Sequence, residues 1–135
     1  MKKLFFITII ATALFSISCQ KDMGGNADVS SIEFVVLTSD WFPIGTEGTP
    51  GYGFAVDLDF PEITDNVVQN GMATLYIKTG DAWAPVPLYY YKDGYQGGYL
   101  CMMQRGVFSI EYYESDHLTV RPETHVFKLV IVQPI

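Results

Sequence analysis

The sequence predicts an all-β fold, an antiparallel sandwich of immunoglobulin-like type with about seven strands, preceded by a cleaved signal peptide. Three observations carry this prediction. Apolar and polar residues alternate with a period of two in several short segments, turn-type residue pairs separate those segments, and no long amphipathic helix is present. Short strands with frequent turns over about 110 residues are typical of a sandwich, with a small barrel as the alternative.

The clearest strand is GFAVDLDF, residues 53–60, in which large apolar side chains alternate with Asp57 and Asp59. Such alternation indicates a strand with one face in the core and one in water. Further strands are predicted at residues 30–37, 72–78, 87–91, 99–103, 107–113 and 125–132. The side chains that the alternation turns inward are Phe54, Val56, Leu58, Phe60, Ala73, Leu75, Ile77, Phe108, Ile110, Tyr112, Phe127, Leu129 and Ile131.

One short helical turn is predicted at residues 61–71, where Thr64 or Asp65 caps its start and Asn70-Gly71 ends it. Trp83 stands beside two prolines, Pro85 and Pro87, which cannot donate to a central ladder. That segment is therefore predicted to form a sheet edge or a bend.

The N terminus has the layout of a secretory signal peptide. Lys2 and Lys3 precede an apolar run over residues 4–15, and Ser18 comes just before Cys19. The apolar run is shorter than the about 20 residues that a transmembrane helix requires.

Ser18-Cys19 resembles the end of the lipobox of bacterial lipoproteins, although Ser16 stands where that family usually has leucine. The resemblance implies that Cys19 is lipidated and anchors the chain to a membrane. Gln20-Lys21-Asp22 resembles the signal that exports Bacteroidetes lipoproteins to the outer face of the outer membrane. The implied location is the outer membrane, with the domain at the cell surface or, alternatively, on the periplasmic face.

Three segments follow from this assignment: a signal peptide at residues 1–18, the lipidated cysteine with a flexible tether at 19–28, and a single domain at 29–135. The tether is predicted because residues 20–28 are polar, contain glycine and lack periodicity. The 117 residues that follow cleavage are enough for one domain with a core.

The body of the chain has a second resemblance. Its order is DLDFPEITDNVVQNGMATLYIK, then Trp83-Ala84-Pro85-Val86-Pro87-Leu88, then a final FKLVIV strand. It resembles a family of uncharacterised Bacteroidetes lipoproteins with a β-sandwich, over about residues 29–135. This resemblance implies a fold and a location, but no activity and no site residues.

Charge excludes one class of partner. Cleavage before Cys19 leaves six basic residues against fifteen acidic ones, without a basic stripe that could neutralise phosphates, so nucleic acid is not an expected ligand. Cys101 lies in an apolar strand and is expected to be a buried, unreactive thiol.

Two aromatic segments are candidates for ligand binding. The long loop at residues 39–53 carries Trp41, Phe42 and Tyr52, and loops of this length are usually functional or disordered. Trp41 and Phe42 have two possible roles, as a binding tip or as a plug for the end of the core.

The second segment, YYYKDGYQGGY at residues 89–99, holds five tyrosines, whose flat apolar faces and hydroxyls suit a sugar ring or a protein surface. Tyr95, between glycine-bearing turns, is predicted to be the best exposed of them, and Tyr91 is the other candidate contact. At least one tyrosine of the segment is expected to pack inward.

No catalytic, metal or cofactor signature is recognised. Four carboxylates cluster along the chain at Asp57, Asp59, Glu62 and Asp65, but without a calcium-loop pattern they predict a solvated face. His117 and His125 lack zinc-ligand spacing, and no nucleophile elbow accompanies them. The chain is therefore expected not to be an enzyme, and a small hydrolase would require one of the histidines to meet a carboxylate and a hydroxyl in a cleft.

The function expected from sequence is non-catalytic binding of a glycan or a protein by exposed aromatics on a lipid-anchored domain. The alternative is a structural or assembly subunit of a cell-envelope complex that acts through a sheet edge. The first expectation requires aromatics clustered at one end of the sandwich, and the second requires an open, apolar edge strand.

Overall fold

The computed structural model describes residues 26–135, so the predicted signal peptide, Cys19 and most of the predicted tether lie outside the described residues. The described chain forms nine strands and two short helices, and its first strand begins two residues before the predicted domain boundary at residue 29. In chain order the elements are β1 (Ala27–Val36), a 3-10 helix (Thr38–Asp40), β2 (Phe42–Ile44), β3 (Gly53–Asp59), α1 (Asp65–Asn70), β4 (Met72–Thr79), β5 (Ala82–Pro85), β6 (Leu88–Lys92), β7 (Tyr95–Gln104), β8 (Val107–Glu114) and β9 (His125–Pro134).

The strands form two sheets that enclose one core. The four-stranded sheet has the order β1-β9-β4-β5, and the five-stranded sheet has the order β2-β3-β8-β7-β6. Every pair of neighbouring strands is antiparallel. The predicted all-β antiparallel sandwich is confirmed.

The core contains the side chains that the alternation turned inward. Leu75, Ile110, Phe127 and Leu129 are fully buried, and they come from both sheets. Burying a side chain of this size contributes about 1.5–3 kcal/mol. Leu58 and Ala73 are partly buried against the same cluster, so the predicted inward positions of the alternating strands are confirmed.

The predicted helical turn is α1. The Thr64 side chain accepts a hydrogen bond from the Val67 backbone N–H at 3.3 Å, and the Gly71 N–H donates to the Val67 carbonyl at 3.0 Å. The helix therefore starts and stops at the predicted residues, and Val67 anchors it in the core. Within residues 26–135 no helix has the length and apolar character needed to cross a membrane.

Two of the nine strands were not expected from the pattern. β2 has three residues inside the long loop, and β5 has four, so neither is long enough for alternation to be visible. Both contain proline, which suits a sheet edge. Because β5 pairs only with β4 among the described strands, the predicted edge at Trp83 is confirmed.

The two ends of the sandwich differ. At the terminal end, Ala27 pairs with Pro134, and the Ile135 N–H donates to the Asn26 carbonyl at 2.9 Å. The opposite end, here called the loop end, gathers residues 45–52, the turn at 93–94 and the loop at 115–124. Hydrogen bonds join residues 45–52 to the loop at 115–124, including the one from the Gly48 N–H to the His117 carbonyl at 2.9 Å. β1 runs from the terminal end to the loop end, and its ten residues span about 30 Å.

Candidate binding groove

Trp41 belongs to the core and not to a binding tip. Its side chain is 2% exposed, and its ring centroid lies 6.2 Å from that of Tyr99. The chain crosses from β1 to β2 at this point, and the crossing carries residue 41 between the sheets. Of the two roles that the sequence left open, Trp41 has the second and plugs the core. Among residues 26–135, its buried Nε1 finds no hydrogen-bond partner.

The other predicted contacts do not form one surface. Tyr91 is 85% exposed and pairs with Gln96, whereas Tyr95 is half-buried and pairs with Lys92. Because consecutive residues of a strand point to opposite faces, Tyr91 and Tyr95 lie on opposite faces of the hairpin. The prediction that Tyr95 is the best exposed tyrosine of the segment is wrong. The expected inward packing is confirmed for Tyr90, which contacts the core.

A groove lies instead on the outer face of the five-stranded sheet, at the loop end. Its volume is about 260 Å³. Of the residues that the sequence singled out, Tyr52 lines this groove. Phe42 is exposed on β2, and neither Phe42 nor Tyr91 lines the groove. The side chains and glycines that line the groove include Tyr52, Tyr89, Gln96, Gly98, Leu100, Tyr113, Ser115 and His117.

Two tyrosine–glycine pairs build the groove. Gly53, Tyr113, Gly98 and Tyr89 are successive cross-strand partners on β3, β8, β7 and β6. A Cβ atom on Gly98 would lie 2.6 Å from Cδ1 of Tyr89, and one on Gly53 would lie 2.6 Å from Cδ1 of Tyr113. Each ring therefore lies directly over a glycine, and this packing is possible only because glycine has no side chain. Tyr89, Gly98 and Tyr113 line the groove, whereas Gly53 does not.

Polar groups surround the apolar floor. The Tyr113 hydroxyl donates to Glu111 Oε2 at 2.8 Å. Burial raises the pKa of Tyr113 to about 12, and this hydrogen bond makes the next largest contribution. Ser115 Oγ accepts from the Gln96 backbone N–H at 2.9 Å, which holds the 115–124 loop against β7. The groove thus combines aromatic faces with two hydroxyl groups, those of Tyr113 and Ser115, that hydrogen bonds hold in place.

A buried hydrogen-bond chain supports the hairpin from the core side. The hydroxyls of Tyr90 and Tyr112 bond to each other, and Tyr112 donates to Glu114 Oε1 at 2.9 Å. Glu114 is buried, and its second oxygen accepts from the Val120 N–H at 3.4 Å. Burial, together with the hydrogen bonds to Tyr90 and Glu114, raises the pKa of Tyr112. These hydrogen bonds link β6 and β8 to the 115–124 loop.

A second cavity of about 190 Å³ lies beside these hydrogen-bonded side chains, at the opening between the two sheets. His125 lines it with Glu114 and Glu123, and burial lowers the pKa of His125. His117 lines the groove. Within residues 26–135, no side-chain hydrogen bond joins either imidazole to a carboxylate.

The remaining candidates do not form a metal site in the described part of the chain. No cluster of three or more histidine, cysteine, aspartate or glutamate side chains occurs there in a metal-binding arrangement. Asp57 accepts a hydrogen bond from Ser109 Oγ at 2.6 Å, and Asp65 forms an exposed ion pair with Arg105 at 3.1 Å. Cys101 is half-buried, and burial raises the pKa of its thiol.

Comparisons with protein-family models, with curated proteins and with solved structures return no match. The lipoprotein family suggested by the sequence therefore stays a prediction. The sandwich and the tyrosine-lined groove are the features from which a function can be argued.

Proposed function

We propose that this chain is a lipid-anchored outer-membrane lipoprotein whose β-sandwich binds a glycan, without catalysis, in the groove between Tyr89 and Tyr113. The observation that carries the proposal is the pair of tyrosine rings on an open sheet face, each packed on a glycine. A ring held in this way offers a flat face with little side-chain entropy left to lose.

The chemistry of the groove suits a sugar. The apolar faces of Tyr89 and Leu100 match the C–H face of a pyranose ring, while Gln96, Ser115 and His117 offer hydrogen-bonding groups to its hydroxyls. Among the described residues that line the groove, none is lysine or arginine. A neutral glycan therefore fits better than a sulfated or acidic one, which would meet the acidic surface of this chain without a cationic partner.

The position of the groove supports presentation to an external ligand. The groove is at the loop end, whereas the predicted tether joins β1 at Ala27, at the opposite end of the sandwich. A lipid anchor at Cys19 would therefore leave the groove accessible to a ligand. Two or more acyl chains would hold the chain firmly, since each buried methylene is worth about 0.8 kcal/mol.

A glycan array tests the proposal. The wild-type protein, Tyr89→Ala and Tyr91→Ala are compared, because Tyr91 is on the same strand and face but outside the groove. We expect binding to neutral glycans that weakens about tenfold or more in Tyr89→Ala and persists in Tyr91→Ala. Equal losses in the two variants would contradict a role for the groove, and binding to no glycan on the array would contradict the proposed ligand class.

A further inference from the structure

The second cavity, at the opening between the two sheets, has a polar floor. Tyr99 lines it from β7, Tyr112 and Glu114 line it from β8, and His125 lines it from the opposite sheet. Its volume of about 190 Å³ is below the about 300–1,000 Å³ that is usual for sites of drug-sized ligands. The cavity therefore suits a molecule of about the size of an amino acid.

Glu114 on this floor is a buried acid without a cationic partner. Its side chain is 6% exposed, and within residues 26–135 no lysine, arginine or histidine nitrogen lies within 4.0 Å of its carboxylate. The Tyr112 hydroxyl and the Val120 N–H donate to it, but neither carries a charge. Because burial lowers the pKa of His125, the imidazole is uncharged at neutral pH and does not supply a cation. Buried carboxylates normally have a positive partner, so the floor favours a cationic group.

The Tyr99 hydroxyl is a second polar group on the floor that lacks a partner. Tyr99 is 4% exposed, and the side-chain hydrogen bonds of the described chain do not include its hydroxyl. Within residues 26–135 the fully enclosed side-chain atom without a partner is Trp41 Nε1, so the Tyr99 hydroxyl is open to the cavity that this residue lines. A carboxylate beside a free hydroxyl oxygen suits an ammonium group, which has three donors and no acceptor.

The rim of the cavity carries positive charge. Arg121 and Lys92 line it, and both are exposed. The Arg121 Cζ lies 5.4 Å from the ring centroid of Phe54, a cation–π contact that holds the guanidinium against the five-stranded sheet. Within the described chain neither cation lies within 4.0 Å of a carboxylate, although Glu123 also lines the cavity. The rim therefore offers free cations to a ligand carboxylate, which an arginine can bind through two hydrogen bonds.

We propose that this cavity binds a free α-amino acid. Glu114 and Tyr99 hold its ammonium group, and the cations of the rim hold its carboxylate. A ligand with a single charge fits less well, because an anion meets Glu114 and Glu123 and a cation meets Arg121 and Lys92. A neutral sugar leaves all four charges without a partner. A zwitterion satisfies both signs in a site whose two carboxylates balance its two cations.

This proposal does not depend on the glycan proposal. The cavity is on the core side of the five-stranded sheet and the groove is on its outer face, with Glu114 bordering both. Absence of glycan binding on the array would leave the amino-acid site standing, and absence of amino-acid binding would leave the groove standing.

Isothermal titration calorimetry of the full-length protein, in a mild detergent at neutral pH, tests the site with the standard L-amino acids as probes. The probe that binds most tightly is then compared with its N-acetyl derivative, which lacks the ammonium charge, and with its carboxamide, which lacks the carboxylate. We expect at least one amino acid to bind with a dissociation constant below about 10 mM, and each derivative to bind at least about tenfold more weakly.

Two variants assign the charges. Arg121→Gln should weaken binding of the amino acid at least about tenfold and discriminate less against its carboxamide, because the carboxylate has lost its partner. Glu114→Gln should likewise discriminate less against the N-acetyl derivative. Arg105→Gln and Glu62→Gln are the matched controls, since each removes the same charge from an exposed residue outside the cavity. Circular dichroism verifies each fold, and the exposed Arg121 keeps the test decisive if Glu114→Gln does not fold.

Three results would each overturn the proposal. The first is that no amino acid binds at concentrations up to about 10 mM. The second is that either blocked derivative binds as tightly as its parent amino acid. The third is an equal loss of binding in Arg121→Gln and in its control Arg105→Gln.

Discussion

The ring of Tyr89 covers Gly98, its cross-strand partner, so closely that a Cβ atom on residue 98 would lie 2.6 Å from Cδ1 of the ring. This close packing depends on both residues. The tyrosine lies on the sheet because the glycine leaves room for it, and the glycine is shielded because the ring covers it. One wall of the groove therefore depends on a pair of residues.

A double-mutant cycle tests this pair. Gly98→Ala forces the new methyl group against the Tyr89 ring, and we expect the free energy of unfolding to fall by about 1–3 kcal/mol. In a Tyr89→Ala background the same substitution has room and should cost much less. Denaturant unfolding of the four proteins measures the coupling, and additive effects would show that the ring does not rest on Gly98.

Trp41 provides a test of the core. Trp41→Ala should lower the free energy of unfolding by about 3–5 kcal/mol, as expected for removal of a fully buried aromatic. Trp41→Phe should cost clearly less, because it keeps most of the volume and removes the unpaired indole N–H. The two variants are compared by urea unfolding. If both leave stability unchanged, Trp41 does not plug the core.

The buried tyrosines predict loss of stability at high pH. Burial raises the pKa of Tyr99 and Tyr112, and that of Tyr113 reaches about 12, whereas a free tyrosine titrates near 10. Between these values the unfolded chain releases protons that the folded chain retains. The stabilisation is complete below about pH 10 and is lost as the pH rises through the folded pKa values.

The quantity to measure is the slope of the free energy of unfolding against pH, above about pH 10. Tyr112→Phe cannot ionise at that position, so its slope should be shallower than the wild-type slope, whatever its stability at neutral pH. Tyr91→Phe, at an exposed position, is the control. An equal change of slope in the control would contradict a special role for Tyr112.

The location can be tested by protease shaving of intact cells. The predicted lipoprotein should be cleaved on intact cells, and Cys19→Ala should lose its association with the membrane. Cleavage only after lysis would place the domain on the periplasmic side. Retention of Cys19→Ala in the membrane would contradict a lipid anchor at this residue.

The fold could be predicted because it depends on alternation, which the sequence displays directly. Phe54 and Val56, or Leu129 and Ile131, turn inward in any register that buries the apolar face. β2 and β5 were missed because three or four residues with a proline carry no visible period. Trp41 could not be assigned, because its direction is set by the crossing between the sheets.

The groove could have been predicted in part. A two-residue turn at Asp93-Gly94 pairs Tyr89 with Gly98 and Tyr90 with Gly97, as the structure has them. Alternation then separates Tyr91 from Tyr95. The Gly53–Tyr113 pair was beyond reach, because it joins strands that are far apart in the sequence, and only the sheet order brings them together.

Amide chemical-shift mapping with a glycan identified on the array tests the central claim most directly. We expect that Gln96, Gly98 and Ser115 shift on titration in the wild-type protein and do not shift in Tyr89→Ala. Shifts confined to the second cavity, around Arg121 and Glu123, or to the β1 edge would place the ligand elsewhere. In that case the groove between Tyr89 and Tyr113 would not be the binding site.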